Sequence, residues 1–450
     1  MNEKPAESQR SVTYVALLTF FLPIAFATLL VPVANTILNS VIARMSKPEI
    51  SLAAFAVARS TVFLLQSPTF TIRSSVASLV AGENSHRVVS KFFAGLILIM
   101  TGLVLLLGYT NFSQLLLGSI MGIEGEVFEY SIMTVRIFCA LPIIVGVSEF
   151  YHGIAILLRC QKFIPIATSM RTVFTALVLF LITPYVHMNG ALLGGIVFLL
   201  SLTIEVLTLL WRLKKEKGSL KNALTIQMKE EEYRDSLSIK EAVRFALPLM
   251  TTVAFFYIIR PVVNSALARS SEPATYLAGF EVGYTIIGLI ADPVDVLHQC
   301  SLLYWNPDDK RSLSVLKTFF LGVTLFLASL LIIIGFTPIG EWILLKVIKA
   351  PANILPTALG VIKVGFLFIF ARACREYYWG TLMRTRQTYL IAISRIINIV
   401  ILVPAIILGT KLLPINPGVG ACAIWATGEA LEGLYIYLLS RDKSGIYIAN

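Results

Sequence analysis

Long apolar runs separated by short polar breaks dominate the chain from end to end. Runs of spanning length fall at 13–43, 49–80, 88–110, 126–158, 163–185 and 189–211. Six more fall at 239–268, 273–303, 313–337, 353–383, 387–409 and 418–440. A hydrocarbon core of about 30 Å needs about 20 such residues as helix, and backbone in lipid must satisfy its own hydrogen bonds. The pattern predicts an all-α polytopic membrane protein with twelve transmembrane helices. Prolines inside the runs (Pro23, Pro32, Pro142, Pro248, Pro261, Pro293 and Pro404) predict kinks, common where helices bend around a cavity.

The one long hydrophilic stretch, Arg212 to Lys240, separates the first six runs from the last six. It divides the chain into a lobe at 1–211, a cytosolic linker at 212–238 and a lobe at 239–450. The two lobes repeat each other. A shift of 225 residues lays Leu22-Pro23 on Leu247-Pro248, Asn39-Ser40 on Asn264-Ser265, Ala43-Arg44 on Ala268-Arg269 and Pro68 on Pro293. A shift of 227 lays Glu149, Tyr151 and Gly153 on Glu376, Tyr378 and Gly380, and Arg159 on Arg386. Chance similarity between apolar helices rarely keeps Asn, Arg, Glu and Pro in one register. With six spans in each half, the repeat is parallel, related by an axis along the membrane normal, with a path for substrate between the lobes.

Composition agrees. Only 14% of the 450 residues are charged and 57% are hydrophobic, and mean hydropathy is +0.81. A soluble protein carries about a quarter charged residues. The net charge of +11 would suit nucleic acid, but its placement points to topology instead. With both termini cytosolic, only Arg44, Lys47, Arg269, Lys346, Lys349 and Lys411 fall in outside loops. The apolar run after Arg10 is too long for a signal-peptide core and stays as the first span. Cys139, Cys160, Cys300, Cys374 and Cys422 are far apart without a CxxC pair and read as free, buried thiols. Four dispersed histidines name no metal site, and no Walker loop, GxGxxG, HExxH or GxSxG motif indicates an enzyme or a cofactor.

Ionisable residues within spans each cost about 2.5–3.5 kcal/mol at mid-membrane and need a partner or a wet cavity. Arg260, followed by Pro261 with Asn264 one turn on, reads as an anion-binding Arg on a broken helix or as half of a structural ion pair. Glu281, Thr285, Gly288, Asp292, Asp295 and Gln299 share one helix face, and Arg59, Gln66 and Arg73 share another. These stripes read as a coupling-ion or proton relay, or as an electrostatic zipper, with the aspartates merely solvated near the cytosolic end. Glu149 lies one turn from His152, and Arg372 with Glu376 has the spacing of an intrahelical salt bridge. The repeat sets Glu149 against Glu376 and Arg136 against Lys363, which favours a central site. Arg171, Arg395, Glu205 and Glu429 read as snorkelling near helix ends. Among the deeper positions the bases Arg59, Arg136, Arg260, Lys363, Arg372 and Arg375 outnumber the acids Glu149, Glu281 and Glu376, which favours an anionic substrate.

Twelve spans in a 6+6 repeat with a middle linker look like the multidrug/oligosaccharidyl-lipid/polysaccharide (MOP) exporter superfamily and its MATE-like fold. Arg260-Pro261-Val262-Val263-Asn264 resembles the Arg-Pro-Ile-Val-Asn of the progressive ankylosis (ANK) family. His152-Gly153-Ile154-Ala155-Ile156-Leu157-Leu158-Arg159 is similar to a second stretch of that family, and Trp379 to Met383 with Ser394 to Ile397 forms a weaker third match. The resemblance implies export of small anions of the citrate, pyrophosphate and nucleoside triphosphate class. It carries over Arg260, Asn264 and His152, while the Asp292–Asp295 pair departs from the pattern.

These readings combine into a monomeric secondary transporter in the cell membrane, in contact with lipid and coupled to H+ or Na+. Arg260, Arg136, Lys363, Arg375, Arg372, Arg59, Asn264 and Asn39 are the candidate anion-binding residues. Glu281, Glu149, Glu376, His152 and Asp292 are the candidates for ion or proton coupling. Three rivals remain: a MATE-type cation or drug antiporter with a carboxylate-dominated cavity, a flippase with a groove open to lipid, and a non-transporting scaffold with every polar group paired.

Overall fold

The computed structural model describes residues 12–80, 82–158, 160, 162–186, 188–217, 237–306, 309–384 and 387–443. Most of the linker with its Glu230-Glu231-Glu232 run, His187, and the Arg159 and Arg386 repeat pair lie outside the described residues. The described chain is almost wholly helical. Its long helices are α1 (Tyr14–Ile42), α2 (Pro48–Leu79), α3 (Glu83–Tyr109), α4 (Gly125–Leu157), α5 (Phe163–Ile182) and α6 (Gly190–Lys217). After the linker come α7 (Ile239–Ala268), α8 (Pro273–Tyr304), α9 (Lys310–Phe336), α10 (Leu355–Arg384), α11 (Thr388–Leu412) and α12 (Pro417–Lys443).

Eleven of these, all but α12, are long and apolar enough to cross a membrane. α12 is of similar length, but its glycines and its two glutamates, Glu429 and Glu432, dilute it. The protein is multi-pass, and the expected twelve helices match within the one that composition obscures. Local chemistry sets the ends. Ser238 and Glu241 form a reciprocal cap at the start of α7, and the Asp309 carboxylate accepts from the Arg311 and Ser312 amides at α9. Proline sits at the first turn of α2 and α8.

Breaks fall where proline interrupts the helical ladder. α2 tightens to a 3-10 turn at Ser67–Thr71 around Pro68, and α8 does the same at Asp292–Val296 around Pro293, the repeat-related positions. α4 tightens at Phe138–Ala140 just before Pro142. α7 stays helical through Pro248 and Pro261.

Helices α1–α6 pack mainly on one another, as do α7–α12, and α1, α2, α7 and α8 form the seam between the two bundles. The α1–α2 and α7–α8 turns lie on one face, here called the far face, and the first turns of α1 and α7 lie on the opposite one, here called the terminal face. The repeat is visible in three dimensions at that far seam. Arg44 donates to the Ser40 carbonyl of its own helix and, at 3.0 Å, to the Val347 carbonyl of the opposite bundle. Arg269 donates to the Ser265 carbonyl and to the Ile120 carbonyl. Ile120 and Val347 are themselves repeat mates, each near the end of a π-helical turn, Gln114–Ile120 and Ile343–Ile348. Carbonyls there are unpaired and carry negative partial charge, so a guanidinium binds them well. Each π turn is followed by a left-handed residue, Gly122 (φ 71°) and Lys349 (φ 60°). Gly122 serves a second purpose, since a Cβ there would lie 3.0 Å from Cγ of Arg269.

Candidate functional site

Just inside these clasps, two more repeat-related bonds tie the seam. Asn39 Nδ2 donates to Thr285 Oγ1 at 3.0 Å, and Asn264 Nδ2 donates to Ser60 Oγ at 2.7 Å. Glu49 adds a third tie, accepting from Thr275 and Asn353. Asn39 and Asn264 are thus buried cross-bundle ties on the far side.

On the terminal side of these ties lies an inter-bundle cavity of about 460 Å³. At its head Arg59 of α2 and Arg260 of α7 both donate to the Glu281 carboxylate of α8. Glu281 is 1% exposed, Arg59 12% and Arg260 18%. Two guanidiniums on one carboxylate leave a net positive charge, and Arg260 Nη1 has no hydrogen-bond partner. The Arg260 guanidinium also lies 4.6 Å from the Tyr284 ring centroid. Pro261 has no amide N–H to give the α7 ladder, yet the helix continues, and Arg260 turns to Glu281.

The cavity wall from α1–α6 carries two closed ion pairs. Arg73 forks onto Glu149 with bonds of 2.8 and 2.9 Å and reaches His152 Nδ1 at 3.2 Å. Arg171 lies 3.3 Å from Glu205, which also accepts from Thr168 at 2.7 Å. The wall from α7–α12 is different. Arg372 holds Asp292 at 3.3 Å, Asp295 at 3.1 Å and the Tyr284 hydroxyl at 3.2 Å. Behind it Arg375 contacts Asp295, Glu376 and Glu429, Arg395 contacts Glu429 and Glu432, and His298 Nδ1 meets Glu376 at 2.8 Å. Aromatic side chains line the space between, with Phe70 stacked on Tyr257 and Tyr284 on Trp425, each at 4.8 Å.

Several sequence expectations need correction. Arg136 and Lys363 lie outside the cavity and are exposed, packed over Gly108 and Tyr109 and over Gly335 and Phe336 respectively. They share a depth by symmetry, but their helix faces point away from the seam. Arg171, Arg395, Glu205 and Glu429 do not snorkel; all four are buried and paired, because their faces turn into the bundles. Arg372 does not bridge to Glu376 one turn on, since the aspartates of α8 offer it two carboxylates. Asp292 and Asp295 are 38% and 39% exposed but held by arginines. Gln66 is buried off the cavity, and Arg73 meets Glu149 and not the α8 stripe. Cys374 is exposed on the bundle surface. The surplus of positive charge therefore belongs to the Arg59–Glu281–Arg260 triad and not to the cavity as a whole. Tyr284, Trp425, Glu432 and His298 were not expected at the site, although the 225-residue register already set His298 against Arg73.

No family model and no curated protein matches the sequence. Solved structures do match. An inward-facing multidrug resistance MATE family transporter of the MOP superfamily superposes with a TM-score of 0.69 at 16% identity, covering 94% of this chain and 98% of that one. The lipid II flippase MurJ in an inward closed conformation gives 0.66 at 15% identity, covering 95% and 87%. An outward-facing MATE family transporter gives 0.51 at 13% identity, covering 98% and 100%. The chain has the MATE-like fold.

Proposed function

We propose that the protein is a secondary active transporter that exports a small organic or phosphate-bearing anion, of the citrate, pyrophosphate or nucleotide class, by alternating access between lobes 1–211 and 239–450. Both termini and the 212–238 linker then lie in the cytosol, the terminal face is the cytosolic one, and the monomer is the working unit in the cell membrane. The observation that carries this reading is the convergence of Arg59 and Arg260 on the single Glu281 carboxylate, with Arg260 Nη1 unpartnered at the head of the cavity. An uncompensated buried charge costs several kcal/mol, so an anion entering the cavity relieves a cost already built in. Sitting across the seam, it would bind both bundles at once. The Arg-Pro-Val-Val-Asn stretch that resembles the ANK family is the one that supplies Arg260 and Asn264, which supports the same substrate class.

A second reading, a cation or drug antiporter, is favoured by Glu149, Glu205, Asp292 and Asp295 in the cavity wall. Each of these already has an arginine partner within 3.3 Å, which weighs against it. The flippase reading has a lateral groove of about 600 Å³ between α1 and α9, but that groove is lined almost wholly by apolar side chains and offers no headgroup a cation. The test is uptake and counterflow in proteoliposomes with labelled citrate, pyrophosphate and ATP beside a cationic dye. Anion flux that is lost in Arg260→Ala supports the reading; dye movement without anion flux overturns it.

A further inference from the structure

The buried charges of the two bundles do not balance in the same way. In the first bundle Arg73 and Arg171 face Glu149 and Glu205, one cation to each anion. The second keeps the repeat-related pair His298–Glu376 and, at a shift of 224 residues, sets Arg395–Glu429 on Arg171–Glu205; it then adds Arg372, Arg375, Asp292, Asp295 and Glu432. Three arginines there serve five carboxylates in one connected network. A charged His298 offsets one of the two unmatched anions and leaves the other. His298 Nδ1 itself is a donor, because the Asp295 carbonyl beside it can only accept, as an ionised Glu376 does.

One carboxylate is visibly the least supported. Glu429 accepts from Arg375 and from Trp425 Nε1. Glu432 accepts from Asn398 Nδ2 at 2.7 Å through Oε2, while its Oε1 has no hydrogen-bond partner. Arg395 Nη1 lies 3.0 Å from Oε2 without the alignment of a hydrogen bond. Glu432 is 2% exposed. An ionised oxygen left bare in a low-dielectric interior is far costlier than a neutral carboxyl.

We propose that the second bundle holds an exchangeable proton, seated on Glu432 beside Glu429 and reached from the inter-bundle cavity through Asp292 and Asp295. The proton comes from cavity water, adds to a Glu432 carboxylate oxygen as O–H, and returns to water when the site empties. Asp292 and Asp295 are the wet end of the path; Arg375 keeps its own protons and holds Asp295, Glu376 and Glu429 together, so the transferred proton crosses to the deep end on water beside it. The arginines interleaved between the carboxylates favour a proton over Na+, because a metal ion needs several oxygens converging with no guanidinium among them. The site also has a mechanical route to the triad. The Tyr284 ring lies under the Arg260 guanidinium, its hydroxyl accepts from Arg372, and it stacks on Trp425, whose indole N–H meets Glu429. Whether proton release drives anion export rests on the transport reading; the proton seat itself does not.

Infrared difference spectroscopy on the full chain in lipid vesicles tests the seat without any substrate. The wild type should show a protonated-carboxyl carbonyl stretch that titrates with pH, shifts in heavy water, and is unchanged when Na+ replaces K+. Glu432→Gln should lose it, and Glu149→Gln should keep it. Should Glu432→Gln fail to fold, the double change Asp292→Asn with Asp295→Asn should slow the heavy-water shift at least about tenfold. Absence of a titrating carboxyl band in the wild type overturns the proposal, as does its persistence in Glu432→Gln or its loss on adding Na+ at constant pH.

Discussion

The two bundles are built on one plan and diverge in their polar interiors. Positions that the repeat keeps in both form the frame: the Arg44 and Arg269 clasps, the Asn39 and Asn264 ties, and the pairs Arg171–Glu205 and Arg395–Glu429. Positions that it does not keep include those of the proposed sites. Arg260 stands where the first bundle has Asn35, Glu281 where it has Ala56, Arg375 where it has Ser148, and Asp292 where it has Ser67. A fold made of two copies needs matched contacts to close its seam, whereas transport needs one asymmetric site. Symmetric polar residues are therefore read as architecture and asymmetric ones as function.

This contrast is open to direct attack. The largest effect should come from Arg375→Ala, which removes the cation that Glu376, Glu429 and Asp295 share and should cost about 3–5 kcal/mol; the repeat-related Ser148→Ala should cost about 1 kcal/mol or less. Thermal melts in detergent compare them, and equal losses would end the distinction.

Arg260→Ala should keep the fold, since Arg59 still pairs with Glu281. On the proposed anion reading, substrate binding should weaken at least about tenfold, the equivalent of about 1.4 kcal/mol. Competition for uptake in proteoliposomes reads this, and unaltered affinity would detach the triad from substrate.

The clasps should respond as a matched pair. Arg44→Ala and Arg269→Ala each remove a charged hydrogen bond across the far seam, worth about 1.5–3 kcal/mol. Each should raise far-face labelling of a cysteine placed at the buried repeat mates Ala43 or Ala268, in a background lacking the native cysteines, about tenfold or more. A strong effect from one and none from the other would mean that the seam opens asymmetrically.

The smallest effect is expected at the exposed pair. Arg136→Ala and Lys363→Ala remove cations packed on rings outside the cavity, worth about 0.5–1 kcal/mol in stability. Transport should stay within about twofold of wild type, because neither side chain lines the cavity. A collapse of anion flux in either would return them to the substrate path.

Much of this was legible before any coordinates. Apolar run lengths marked the spans to within a few residues, and the kink expected at Pro293 falls on the 3-10 turn of α8. The sequence also singled out Arg59, Arg260 and Glu281, because charge at mid-span is costly enough to be conspicuous. It misjudged Arg136 and Lys363, since matched depth in two copies says nothing about which way a helix face turns. It undervalued Arg395 and Glu429 for the same reason, treating nearness to a helix end as nearness to water.

By itself, then, the sequence determined what depends on one chain segment at a time: helical spans, their breaks, the two-fold repeat and the presence of ionisable groups in lipid-depth segments. Hydrophobic length and backbone hydrogen bonding impose these locally. Only the tertiary structure decided which charges meet. Arg59 chose Glu281 over its own helix, Arg372 chose Asp292 and Asp295 over Glu376, and Arg73 chose Glu149. Such choices depend on the rotation and tilt of neighbouring helices, which packing sets and helical periodicity alone does not.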